Sequence, residues 1–105
     1  MATVTIAGRE VQINEEGFMT DPSEWGEDMA EILAKQIGID TLTEAHWKVL
    51  NFLREDFAAQ GETPPLRRVS SVGGVNTKDL YTLFPKKPAR KMAYIAGLPK
   101  PKGCI

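Results

Sequence analysis

Few side chains in this sequence can do covalent chemistry. Cys104 is the only cysteine and stands second from the end; His46 is the only histidine. No Ser-His-Asp arrangement, phosphate-cradling loop or dinucleotide fingerprint is present. The thiol is therefore the first candidate. It reacts as its thiolate, and nearby cations lower its ordinary pKa of about 8.5. Lys100 and Lys102 precede Cys104 by four and two residues, so in an extended segment all three face one side. A terminal carboxylate at Ile105 acts the other way by disfavouring a second negative charge. Sequence leaves that balance open. Free cysteines are commonly buried as small hydrophobes. One in a polar, proline-rich stretch has no packing reason to be there, which favours a functional thiol over a frayed tail.

The other groups offer less. A zinc site lacks ligands with one histidine and one distant cysteine. A Cys104–His46 pair would need the chain end to fold back, and a packed or capping His46 is the simpler expectation. Glu24, Glu27, Asp28 and Glu31 cluster in sequence, but no turn aims their oxygens at one point, and a solvated helix face explains them. No cofactor and no metal are implied.

The thiol sits on residues 97–105. Pro99 and Pro101 alternate with Lys100 and Lys102, between Gly97 and Gly103. Prolines remove amide donors and favour extension, so Gly97 to Cys104 spans about 25 Å at roughly 3.3 Å per residue. The expectation is a semi-rigid, mobile arm with a thiol near its tip, and Gly103 beside it as a swivel.

The elements that must carry this arm read as mainly helical. Thr3–Ile6 and Val11–Ile13 alternate around Ala7-Gly8 and predict a β-hairpin with Val4, Ile6, Val11 and Ile13 on one face. Phe18-Met19 adds a short third strand. Asp21-Pro22-Ser23-Glu24 reads as a helix start, with Trp25, Met29, Ile32 and Leu33 as the apolar stripe and Gly38 as the stop. Thr43 caps the longest helix, to about Ala59 before Gly61, with Trp47, Leu50, Leu53 and Phe57 inward. Leu66–Val72, a Gly73-Gly74 turn and Thr77–Phe84 capped by Asn76 have a helix-turn-helix outline. Pro85–Pro88 is a basic hinge, and Ala89–Ala96 forms a last helix. The fold class is α+β, mainly α: a hairpin (1–20) on a small helical bundle (21–96) with a flexible arm (97–105), in one domain.

At 105 residues with 42% apolar content, the chain can bury one modest core. No apolar run approaches the roughly 20 residues that span a bilayer, and the start lacks signal-peptide character. One cysteine suits a reducing compartment, hence a cytoplasmic location. Residues 1–62 hold 4 Lys/Arg against 13 Asp/Glu, while residues 63–105 hold 9 against one. The two parts either neutralise each other in the fold or leave a basic surface for an anionic partner. A nucleic-acid-binding regulator is one competing reading. The second helix of the motif offers Thr77, Lys78, Tyr81 and Thr82 but no Arg, Asn or Gln for bidentate base contacts, so only weak, phosphate-type contact is expected.

Ala96-Gly-Leu-Pro-Lys-Pro-Lys-Gly-Cys104-Ile105 resembles the arm of the DsrC/TusE family of small sulfur-carrier proteins. The resemblance extends through Leu80–Pro85, Pro88-Ala89-Arg90, His46–Arg54, Gly17-Phe18 and Pro65–Val69, nearly the whole chain. It implies a sulfur relay in which Cys104 accepts sulfane sulfur as a persulfide and passes it on, a carrier rather than a stand-alone enzyme. It also implies a basic residue beside a retracted tip. Arg68 matches best, with Arg67, Arg90, Lys100 and Lys102 as further candidates to hold the anion. The implied partners are donor and acceptor proteins of the TusBCD or DsrEFH type, another sulfurtransferase or a reductase, in sulfur metabolism or tRNA thiolation. Two-cysteine relatives carry a second thiol eleven residues earlier, where this chain has Ala93. No internal disulfide can then form, and oxidation should give a Cys104-linked dimer of an otherwise monomeric protein. Residues 70–76 are also shorter than the segment usual in TusE-like members. A third reading makes the chain a non-carrier regulatory subunit of a sulfur-metabolising complex, with the arm as a plug.

Overall fold

The computed structural model describes residues 2–101. Its elements are β1 (Ala2–Ile6), β2 (Arg9–Ile13), a 3-10 turn (Pro22–Glu24), α1 (Glu27–Gln36), α2 (Glu44–Gln60), α3 (Leu66–Ser71), α4 (Thr77–Leu83) and α5 (Pro88–Ile95). β1 and β2 pair antiparallel, with Val4 opposite Val11. Both residues between them, Ala7 and Gly8, have left-handed φ (53° and 78°), the geometry that matches a tight hairpin turn to strand twist. The expected third strand shrinks to a single bridge, Ile13 to Met19. Asn14 causes this. Its side-chain oxygen accepts from the amides of Glu16 and Phe18 and closes a local turn instead of extending a ladder.

The helix expected from Asp21 to Gly38 is two pieces. Asp21 accepts from the Ser23 amide and starts only one 3-10 turn. Trp25 and Gly26 are then extended, and α1 begins at Glu27. The Glu24 carboxylate accepts from the Gln12 amide on β2, which holds the 3-10 turn against the hairpin. A Cβ at Gly26 would lie 2.3 Å from Arg9 Nη2, the end of an exposed side chain paired with Asp28 that would have to move aside. Trp25 therefore leaves the α1 stripe and turns elsewhere. Ile6, Val11, Met19, Met29 and Leu33 make a small buried cluster under the hairpin.

α2 is the spine. Val49, Leu50 and Leu53 are fully buried among Val69, Leu80, Phe84, Met92 and Ile95 of α3 to α5 and their flanks. Its start is a capping box in which Thr43 accepts from the His46 amide and His46 Nδ1 accepts from the Thr43 amide (3.0 Å). With Nδ1 accepting, Nε2 carries the proton and donates to the Leu83 carbonyl at 2.9 Å. His46 is thus a structural link between α2 and α4, and its ring meets Phe84 edge-on. α5 packs against α1, α2 and α4.

The end of α5 decides how the arm begins. Gly97 adopts φ 71°, its amide meets the Tyr94 carbonyl (3.3 Å), and the Leu98 amide meets the Ala93 carbonyl (3.0 Å). This is the Schellman ending, which needs a residue at ease with left-handed φ. The arm does not come free at Gly97. Leu98 is 1% exposed and belongs to the main core, and Pro101 is buried. The polar, proline-rich composition hid a leucine that is buried in the core.

Candidate functional site

Three groups of contacts hold the docked stretch, residues 97–101. Trp25 Nε1 donates to the Ile95 carbonyl (2.9 Å), and Arg54 Nη1 donates to the Ala96 carbonyl (2.6 Å). Carbonyls at a helix end have no intrahelical partner, and here two side chains from distant elements take them. Further along, the Thr63 hydroxyl donates to the Pro99 carbonyl (2.7 Å). On the other side Lys100 reaches Glu16 (3.1 Å), which also pairs with Arg90 at 3.1 Å. Cys104, with Lys102, lies outside the described residues. It stands three residues beyond Pro101 in sequence, and three residues of chain reach no further than about 10 Å at roughly 3.3 Å per residue.

The basic candidates separate into two groups. Arg68 gives Nε and Nη2 to the two oxygens of Asp56, both at 2.8 Å. Asp56 is nearly buried, with 7% of its side chain exposed, and this bidentate bond holds its carboxyl below the ordinary carboxylate range while raising the Arg68 pKa. Arg67, on the same helix, is exposed. Arg90 and Lys100, by contrast, converge beside the arm. Arg90 and Glu16, the partner of Lys100, border a cleft of about 300 Å³ also lined by Gly17, Phe18, Ile37, Lys91 and Tyr94. Tyr94 bonds Gln36 (2.7 Å), and burial raises its pKa. The acidic and basic parts of the chain thus neutralise each other in part, through Asp56–Arg68 and the shared Glu16.

Sequence reasoning missed Arg54 and misplaced Trp25. Arg54 lies on the long helix where a charged residue reads as solvent-facing. Its partners are 42 and 32 residues away, and no local pattern announces them. Burial lowers its pKa from a very high ordinary value, which leaves the guanidinium charged. It stacks over the Trp25 ring at 4.2 Å.

The whole arrangement, hairpin, five helices and anchored arm root, has known counterparts. The family model described as "DsrC like protein" matches residues 5–105. The chain belongs to the DsrC family. It is 39% identical over 112 aligned positions to sulfurtransferase TusE of Photorhabdus laumondii, all of both chains being covered. It is 33% identical over 105 positions to the gamma subunit of the dissimilatory-type sulfite reductase of Nitratidesulfovibrio vulgaris, again with full coverage of both. The crystal structure of the oxidized gamma subunit, DsrC, from Archaeoglobus fulgidus matches with TM-score 0.78 at 38% identity, over 99% of this chain and 100% of that one. These are names from sulfur metabolism, and they lend nothing to the nucleic-acid-regulator or plug readings. In this DsrC-family chain Ala93 is fully buried on α5, and its carbonyl is the one that receives the Leu98 amide. No helix among the described residues is long and apolar enough to cross a membrane.

Proposed function

We propose that this chain is a sulfur-relay carrier that takes sulfane sulfur on Cys104 and hands it to a partner protein. The observation that carries the reading is the family match across the full arm, together with an arm root that is anchored up to three residues before the only thiol. In the loading step the Cys104 thiolate attacks the outer sulfur of a donor persulfide. The donor S–S bond breaks, its inner sulfur leaves as a thiolate, and a new S–S bond forms on Cys104. The proton lost from Cys104 is matched by the one the donor thiolate gains, so there is no net oxidation. Delivery reverses the roles. A persulfide is anionic near neutral pH, and Arg90 and Lys100 are the basic candidates nearest the arm root. Arg68 is engaged with Asp56, and Arg67 and Lys102 are secondary. The partners are a sulfur donor and a sulfur acceptor protein. The single cysteine suits the cytoplasm, and residues 1–105 act as one domain. Incubation with a persulfide donor should add about 32 Da per sulfur to the intact mass, the increment of one persulfide step on the cysteine ladder. Loading that persists in Cys104→Ser refutes the reading.

A further inference from the structure

The contacts of Arg54 exceed what packing α2 against its neighbours requires. Its two terminal nitrogens bridge two carbonyls that are remote in sequence: Ala96 at the arm root and Pro22 in the 3-10 turn (2.9 Å). The guanidinium plane lies over Trp25, and the Trp25 indole itself bonds the Ile95 carbonyl. Gly97 completes the arrangement. A Cβ there would fall 2.2 Å from Trp25 Cδ1, so the arm leaves with its backbone directly against the indole. No ion pair to Arg54 occurs among the described residues. A half-buried cation bound only by carbonyls and an aromatic face is costly to place for cohesion alone. An apolar side chain would fill the space, and water would satisfy helix-end carbonyls.

We infer that Arg54 is the positioning residue of the arm root: by bridging Ala96 and Pro22 over Trp25, it fixes the direction in which the chain leaves α5, ahead of the Leu98, Thr63 and Lys100 anchors, and so the line along which residues 97–101 lead toward Cys104. The inference rests on the carrier reading and deepens it. Planarity matters here. Two fixed N–H directions set an angle between the 3-10 turn and the arm root, which a single ammonium on a flexible stem cannot do. A small diffusing donor can approach a thiol from many sides and depends little on the direction of the arm. A donor whose sulfur lies in a protein cleft requires the tip to arrive along one line, and there misplacement is expensive.

The experiment compares wild type, Arg54→Lys and Arg54→Met on the full chain. Amide hydrogen exchange is read at Gly97 and Leu98, the arm root, and at Leu50 and Leu53 in the α2 core. Sulfur loading of Cys104 is timed with glutathione persulfide as the small donor and persulfidated rhodanese as the protein-held donor. In Arg54→Met, exchange at Gly97 and Leu98 should rise at least ten-fold while Leu50 and Leu53 change less than two-fold. Loading from glutathione persulfide should stay within two-fold of wild type, and loading from rhodanese should fall at least ten-fold. Arg54→Lys, keeping the charge but not the fork, should lie between. Exchange that rises equally at the arm root and in the core overturns the inference, because Arg54 is then a stability residue. Equal loss from both donors, or loss from neither, also overturns it. Wild type that takes no sulfur from glutathione persulfide refutes the carrier reading itself and leaves the exchange result to judge Arg54.

Discussion

Leu98→Ala distinguishes an arm that begins at Gly97 from one that is docked through Pro101. Leu98 sits in the same core as Leu50, Leu53 and Met92, and only 1% of it is exposed. Truncating a buried leucine removes its transfer free energy and leaves a partial cavity, together about 2–5 kcal/mol. The lower half of that range applies, because a segment near a chain end can collapse or peel away; we take about 2–3 kcal/mol. That is a large fraction of the roughly 5–15 kcal/mol that holds a domain of this kind together. With a urea slope of about 1–2 kcal/mol/M for so small a protein, the midpoint should fall by about 1–3 M. The melting temperature should fall by about 8 °C or more, at roughly 4 °C per kcal/mol. An arm free from Gly97 onward would place Leu98 in water, where the same change costs less than about 0.5 kcal/mol. Paired urea titrations followed by Trp25 and Trp47 fluorescence decide between them. A midpoint unchanged within error refutes the docked arm root, and with it the short reach assigned to Cys104.

Two other outcomes are expected. Asp56 has a depressed native pKa, chiefly from its bond to Arg68, so the native state binds that proton less readily than the unfolded chain. The pair's contribution is complete above the unfolded value of about 4 and is lost as pH falls through the lower native value; urea midpoints of wild type and Asp56→Asn should therefore differ most near pH 6 and converge in acid, and curves that stay parallel would count against it. Ala93→Cys restores the second thiol of two-cysteine relatives, and under mild oxidant it should give a monomer two hydrogens lighter on intact mass, whereas wild type gives a reducible dimer; dimers from both would show that the tip cannot approach α5 to within the roughly 7 Å Cα separation that a disulfide needs.

Much of the fold was legible because its signals are local. Thr43, Asn76 and Gly61 mark helix ends by capping chemistry that acts within four residues. The hairpin follows from alternation around Ala7-Gly8. The misread segment, Asp21 to Gly38, carries a valid start signal followed by a valid apolar stripe, but the stripe includes Trp25, whose true partners are Ile95 and Arg54. Periodicity assigns an apolar residue to a face and cannot report a partner 70 residues away. The same limit hid Arg54 and Thr63, whose side chains act on backbone carbonyls of the arm. A carbonyl is present at every residue, so sequence does not single one out. Cys104 is the proposed carrier for the opposite reason: a lone thiol is chemically distinct in the sequence wherever it stands.

Docking through Pro101 also sets how concentrated the thiol is around its own body. Three residues of chain reach no further than about 10 Å, a sphere equivalent to roughly 0.4 M, whereas the roughly 25 Å open to a chain leaving at Gly97 is equivalent to roughly 25 mM, some fifteen-fold more dilute. On the proposed carrier reading, a root anchored beside Arg90 and Lys100 limits how far a loaded sulfur could travel from that face. On that reading, a partner that drew Leu98 out of the core and broke the Thr63 and Lys100 contacts would exchange this limit for range, and the anchors of the root together would set the trade between holding sulfur and delivering it.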